Sequence, residues 1–393
     1  MPPCASPPAC KAILCLLVCL AAGIPLWAGG LTLSFASQAA ALIVLAQSFQ
    51  LLLGETGLLS FGHAAYAGIG AFAAAYALNA AGSAHVFLPT PLLPLIGALA
   101  GAAGGMTLGW FATRRGGIAF AMITLGIGEL LATGSAAWPA AFGGEGGITT
   151  DRTLGWSPFD LGPARHAYAL VVVWTVLAVA AMRALTRTPL GLAARAVRAQ
   201  PTRAAFAGLD VTRVRYRMQA VSAAFAGISG ALMTIVNEHV SSDAFGLGPS
   251  GAVLVAVVLG GASGWRGPVL GAVAYTGFAV ALATLTRAWP FYLGLLFIGV
   301  VSLSPTGLID AWHAVRGRLT ILRLAAGAAG LAALILSVEM IYRLTVSADG
   351  GSTFAWWGLR FDATTRGPWA CAAALWLAGA AIWRVSLRRE LGR

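Results

Sequence analysis

Apolar stretches long enough to cross a bilayer follow one another along almost the whole chain, separated by short polar, glycine-containing or proline-containing breaks. Hydropathy and breakers predict spans over residues 11–28, 33–53, 60–81, 90–113, 117–139, 167–185, 216–236, 250–264, 267–286, 289–306, 324–342 and 369–385. Windows of about 20 residues without a charge are the mark of transmembrane helices. The pattern therefore predicts an all-α, polytopic integral membrane helical bundle. The stretch 250–264 is short for a crossing. Two readings stand side by side: a tilted helix ending at Gly260, or a broken or re-entrant helix whose backbone is covered by protein or lines a water-filled cavity. The glycines of "VVLGGASGWRGPVLGA" fit a break.

Charge placement orients the bundle. Between Met182 and Met218 lie Arg183, Arg187, Arg195, Arg198, Arg203, Arg213, Arg215 and Arg217 against Asp210 alone. The positive-inside rule holds such a loop in the cytoplasm. Arg114, Arg115, Arg316, Arg318, Arg323, Arg388, Arg389 and Arg393 fall on the same side, so an even number of crossings puts both termini in the cytosol. The opposite side receives Glu145, Asp151, Asp160, Glu238, Asp243 and Asp349, together with Arg152, Arg165, Arg343 and Arg360. Trp289, Trp356, Trp357 and Trp369 sit near span ends, as an aromatic belt requires.

Composition agrees: of 393 residues, 59% are hydrophobic and only 10% charged, and mean hydropathy is +0.82. The net charge of +12 is nearly all arginine, with Lys11 the only lysine. These arginines sit at span ends rather than in an aromatic-interleaved patch, so nucleic acid is not expected as a partner. Cys4, Cys10, Cys15, Cys19 and Cys371 have neither metal spacing nor a secreted disulfide pattern. The apolar run from Lys11 to Trp27 has the layout of a signal peptide. Another apolar segment follows at once, so an uncleaved first span is expected.

Ionisable groups inside a membrane are costly and mark function by default. Glu129, mid-span in "MITLGIGELLATG", is the first candidate for a substrate or coupling contact, beside the plainer reading of a carboxylate that packs helices. Glu339 is expected to reach the interface. Glu55 and His63 flank "TGLLSFG" at a span junction, where they suit a broken helix better than a metal. In "GETGLLSFGHAAYAGIGAF" and "FGGEGGITTD" clustered glycines permit unwound backbone that can face a zwitterionic ligand. Ser60, His63, Gly143, Gly144, Glu145 and Glu129 are the candidate substrate-pathway residues. No GxxxxGK[ST], HExxH or GxSxG motif occurs, and the histidines are scattered. No enzyme activity, metal or bound cofactor is expected.

Four blocks resemble the LivM-type permease subunits of branched-chain amino acid ABC transporters and their urea and short-amide relatives. They are "GETGLLSFGHAAYAGIGAFAAA", "RRGGIAFAMITLGIGELL", "TPLGLAARAVRAQPTRAAFAGLDVTRVRYRMQAVSAAFAGISGAL", and "VVLGGASGWRGPVLGAV" followed by "FYLGLLFIGVVSLSPTGL". The resemblance covers roughly residues 33–310. It implies about ten family-like spans plus two extra C-terminal ones. The division is an N-terminal segment and first span (1–32), a permease core (33–312) with a coupling loop at about 186–215, and an extension (313–393). The implied function is a permease subunit of an ATP-driven importer of branched-chain or related amino acids. Alternatives are the same machinery for urea, short amides or aromatic acids, or a self-sufficient secondary carrier. The implied partners are two cytosolic ABC ATPase subunits that use the ATP, a second permease subunit (a paralogue), a periplasmic substrate-binding protein, and the lipid of a bacterial inner membrane. Gly191, Arg195, Arg198, Arg203 and Gly208 fall in the segment resembling the ATPase-coupling one. "LAARAVRAQPTRAAFAG" reads as a short helix broken at Pro201 with a further turn ending near Gly208. Arginine suits bidentate contacts with acidic residues of a partner. Glu145 in "GGEGG" departs from the family's usual Asn or Asp, leaving the substrate open. The Trp-rich segment "TFAWWGLRFDATTRGPW" has no family counterpart.

Overall fold

The computed structural model describes residues 29–84, 87–157, 160–261, 264–283, 291–295, 297–298, 333–334, 336–345, 353–356, 359–362 and 365–387. The expected span 11–28, the N-terminal cysteines, most of 289–306, part of 324–342 and the tail arginines lie outside them. The chain divides into two compact units, the first running to Gly277 and the second beginning at Phe278.

In the first unit the elements are α1 (Gly30–Thr56), α2 (His63–Ala84), α3 (Leu93–Ala112), α4 (Ile118–Ala137), α5 (Pro139–Phe142), α6 (Ala164–Leu185), α7 (Pro189–Ala199), α8 (Pro201–Phe206), α9 (Val211–Asn237), α10 (Leu247–Gly260) and α11 (Arg266–Gly277). Helices α1, α2, α3, α4, α6 and α9 are each long and apolar enough to cross a membrane. They coincide with six of the predicted spans to within a few residues. The β structure of this unit is slight: Ile148–Thr149 (β1) pairs antiparallel with His239–Val240 (β2).

Glycine fixes how the long helices meet. In α3 the buried positions include Gly97, Gly101, Gly105 and Gly109, one every fourth residue, which makes a groove along one face. Helix α9 lies in that groove and also packs on α2 and α1, so it is the central column. Gly227 of α9 touches the backbone of α3 at Gly97 and Gly101, and a side-chain carbon there would strike the Gly97 carbonyl. From the other side, Gly70 of α2 packs against Gly227 itself. Three backbones thus converge at one residue. With lipid as greasy as leucine, such close packing is what holds membrane helices together.

Breaks occur where residues demand them. Helix α1 ends at Gly57, which takes the left-handed conformation (φ 73°) and sends its N–H back to Leu53 O. The next helix starts only at His63. The intervening backbone is tied sideways: Phe61 N–H donates to Thr124 Oγ1 at 3.2 Å, and Ala64 N–H donates to Ser250 Oγ at 3.2 Å. Helix α10 has 14 residues, about 21 Å at 1.5 Å per residue, against about 30 Å of hydrocarbon. It is too short for a crossing. Gly261 ends it, and α11 returns against it through close backbone contacts of Gly260, Gly267 and Gly271.

The second unit pairs Thr353–Trp356 (β3) with Leu359–Asp362 (β4) antiparallel, followed by α12 (Arg366–Leu387). A helical stretch at 336–345 packs Met340 and Leu344 against Ala372, and Ser337 donates to Ala372 O at 3.0 Å. Glu339 accepts from Arg343 at 2.9 Å and from the Tyr292 hydroxyl at 3.3 Å.

Candidate coupling site and solute-facing surface

The basic loop folds as two short helices. Proline opens each, at Pro189 and Pro201, where a missing N–H costs nothing. Gln200 between them is extended, which breaks the helix as the sequence predicts. Gly208 is left-handed (φ 89°) and releases the chain into α9, whose Asp210 caps the helix by accepting from Arg213 N–H at 2.9 Å. One face of α7, with Gly191, Ala194 and Val197, is buried in the cluster of Leu51, Met182 and Met218. Gly191 is needed there, because a Cβ would lie 2.5 Å from Thr186 O.

Two guanidinium groups fasten α7 to the end of α1. Arg195 Nε stands 3.3 Å from Glu55 Oε2, and Arg195 Nη2 donates to Thr186 O at 2.6 Å. Arg198 Nη1 donates to the Gly54 carbonyl, and its stem covers Gly57. Both arginines, read from sequence as facing a partner, bond to the chain's own helix while staying exposed. Beside these arginines, α7 and α8 also present Leu192 (58% exposed), Arg203 and Phe206 (90% exposed). The sequence reading did not single out the two apolar residues. Their signal was a Leu and a Phe on the polar side of an otherwise amphipathic segment.

The expected substrate-pathway residues fall in three places. Glu129 lies on the exposed side of α4, where Oε1 accepts from Leu247 N–H at 3.0 Å and so caps α10. Gly126 and Gly134 of the same helix have open space beside them, as does Gly248 of α10. Ser60 and His63 are instead fully buried. His63 Nε2 pairs with Ser48 Oγ at 2.8 Å, its ring set edge-on to Phe49 and Tyr66. Ser222 Oγ of α9 donates to Ser48 O at 2.7 Å, tying the junction to the central helix. Gly143 and Gly144 are left-handed (φ 73° and 64°) and shape the turn after α5. Ser242 donates to Gly144 O at 3.2 Å, and the Glu145 backbone lies in the same single turn.

The far end of the bundle is held by Arg152, counted from sequence only as an exception to the charge bias. Its guanidinium donates to Leu161 O at 2.7 Å and Gly162 O at 2.8 Å, and Nε is 3.5 Å from Glu238 Oε1. Nearby, Thr90 N–H donates to Trp156 O and Trp156 N–H donates to Leu88 O, each at 2.8 Å. Hydrogen bonds from the Thr153 N–H and hydroxyl hold the Asp151 carboxyl below the usual carboxylate range.

Long apolar helices joined by close glycine contacts, with a basic loop clasped to one end, define a multi-pass membrane protein. The family described as "Branched-chain amino acid transport system / permease component" matches residues 31–303, and the chain belongs to that family. Its function is therefore that of a membrane permease subunit, a component of a transport system rather than a member of an enzyme class. The chain is similar to the high-affinity branched-chain amino acid transport system permease protein LivM of Salmonella typhimurium and to that of Escherichia coli. Each is 27% identical over 322 residues, which cover 76% of this chain and 75% of the relative. No solved structure matches the chain.

Proposed function

We propose that this chain is the membrane subunit of an ATP-driven importer of branched-chain or related amino acids in a bacterial inner membrane. It pairs with a second permease subunit, a paralogue, and with two cytosolic ABC ATPase subunits, and α7 and α8 dock in a groove of the ATPase. A substrate-binding protein delivers solute from the periplasm, where the Arg152-held end of the bundle faces. The chain binds no cofactor and performs no chemistry; ATP is used by its partners. The observation that carries this reading is the double fastening of α7 to α1 by Arg195 and Arg198. A force on the outward face of α7 reaches α1 at Gly54 and Glu55 without passing through a flexible loop. From there the Ser48–His63 pair hands it to the start of α2.

The pathway residues divide by role. Glu129 lines the route, because a carboxylate on an exposed mid-span surface faces water or protein rather than lipid. Ser60 and His63 position the unwound segment behind it. Gly143, Gly144 and Glu145 form the outer lip. Affinity resides mainly in the binding protein, so the permease holds the solute only weakly.

The test is uptake into proteoliposomes containing the full complex, with ATP inside or outside, and leucine, urea and an aromatic acid as competing solutes. Leucine uptake that needs ATP on the α7 side supports the proposal. Preference for urea would move the cargo to small amides, and uptake by the purified chain without ATPase would make it a secondary carrier.

A further inference from the structure

Where α3 turns into α4, three arginines gather without a carboxylate. Helix α3 ends at Ala112, and Thr113 closes it by donating to Gly109 O at 2.7 Å. Arg114 then folds back over Trp110, its guanidinium carbon 3.7 Å from the ring centre. Arg115 is exposed beside it. Arg215 reaches across from α9 and lies flat on the turn, its guanidinium carbon 3.0 Å from where a Gly116 Cβ would stand. The Arg215 Nε is buried and has no hydrogen-bond partner among the described residues. The described ion pairs include none of the three.

A half-buried guanidinium with no carboxylate partner among the described residues, on a turn that carries two further arginines, is costly unless an anion meets it. The surroundings indicate which anion. Along the α3 ridge leading to this turn Leu99 is 73%, Trp110 48% and Phe111 63% exposed, so the ridge presents hydrocarbon-compatible side chains up to the last turn. A Trp stacked under an Arg at a helix end is the arrangement found at the membrane–water boundary. What lies within reach there is a lipid headgroup, and arginine pockets between helices at this level are suited to anionic lipid phosphates. The geometry points to a phosphate-binding site for an anionic phospholipid such as phosphatidylglycerol, formed by Arg114, Arg115 and Arg215 around the turn at Gly116. Arg215 grips the phosphate from inside, and Arg114 closes over it from the lipid side. The site rests only on the chain spanning a membrane and is independent of the cargo.

Native mass spectrometry of the whole transporter, released from nanodiscs of equal phosphatidylglycerol and phosphatidylcholine, tests this. The native complex retains phosphatidylglycerol selectively. In R114Q/R215Q that retention falls about thirty-fold, the effect of losing two guanidinium groups near a lipid surface. R165Q, altered at the opposite end of the bundle, retains the lipid. G116A, which pushes the guanidinium from its seat, reads the same loss should the double variant fail to assemble. Equal retention of both lipids by the native complex, or unchanged retention in both variants, overturns the site. Displacement of the lipid by millimolar inorganic phosphate would make it a free-anion site and likewise refute the lipid assignment.

Discussion

Arg195 in the loop helix and Glu55 at the end of α1 form an ion pair of 3.3 Å between segments far apart in the chain. The arginine side chain is 51% exposed and the glutamate 15%. Such a pair contributes on the order of 0.2–1 kcal/mol to stability. Its place, between the loop helix and a long central helix, matters more than its strength.

E55Q and R195E are therefore expected to insert and melt almost as the native protein does, yet to lose most ATP-coupled uptake. The charge swap E55R/R195E should recover part of it. A double-mutant cycle on uptake rate, with ATPase activity measured alongside, separates this from a loss of surface charge. Additive losses without recovery in the swap would show that the two residues act separately.

G227V should be the most damaging single change in the first unit. The added carbons meet the Gly97 carbonyl from one side and the α2 backbone at Gly70 from the other. Overpacking costs typically about 1–3 kcal/mol, and here backbone must move. A sharp fall in membrane-inserted, detergent-stable protein is expected. G134A, where there is open space, should leave yield and melting unchanged.

Replacing His63 with Phe removes the bond to Ser48 in a site with no exposure. Ser48 Oγ keeps its bond to Leu45 O at 2.8 Å, so the loss is that of one hydrogen bond, about 0.5–1.5 kcal/mol. The thermal midpoint should drop, and uptake should fall while loop-helix docking persists. A co-purification assay of the ATPase subunits reads the docking.

R152Q should loosen this end of the bundle, because one guanidinium joins the 151–162 loop to Glu238 at the end of α9 through Leu161 and Gly162. Proteolysis within 151–162 should quicken several-fold. Cleavage at the native rate would show that the loop is held by other contacts.

Much of this was legible in the sequence. Hydropathy and breakers place α1, α2, α3, α4, α6 and α9, because each is a long, mainly apolar run bounded by Gly, Pro or Arg. The loop was readable because Pro201 and Gly208 act through the local backbone. Side-chain direction was not. Nothing in the spacing of Arg195 and Arg198 says that they bond to Glu55 and Gly54. The buried fate of His63 was equally hidden, since it depends on Ser48 and Ser222 arriving from two other helices. The repeat Gly97, Gly101, Gly105, Gly109 was in plain view as a four-residue period. Its role needs a partner helix, and that partner is far along the chain. The length of α10 was ambiguous from composition; the turn at Gly261 decides it.

The central claim is that the α7–α8 segment faces the cell interior and is gripped there by the ATPase. Phe206 is 90% exposed and suits a direct measurement. With the five native cysteines replaced, F206C is probed with a membrane-impermeant maleimide in spheroplasts and in inverted vesicles. Labelling in inverted vesicles alone, blocked when the ATPase subunits are bound, is the predicted result. Labelling from the periplasmic side, or cytosolic labelling that bound ATPase leaves unchanged, would contradict it.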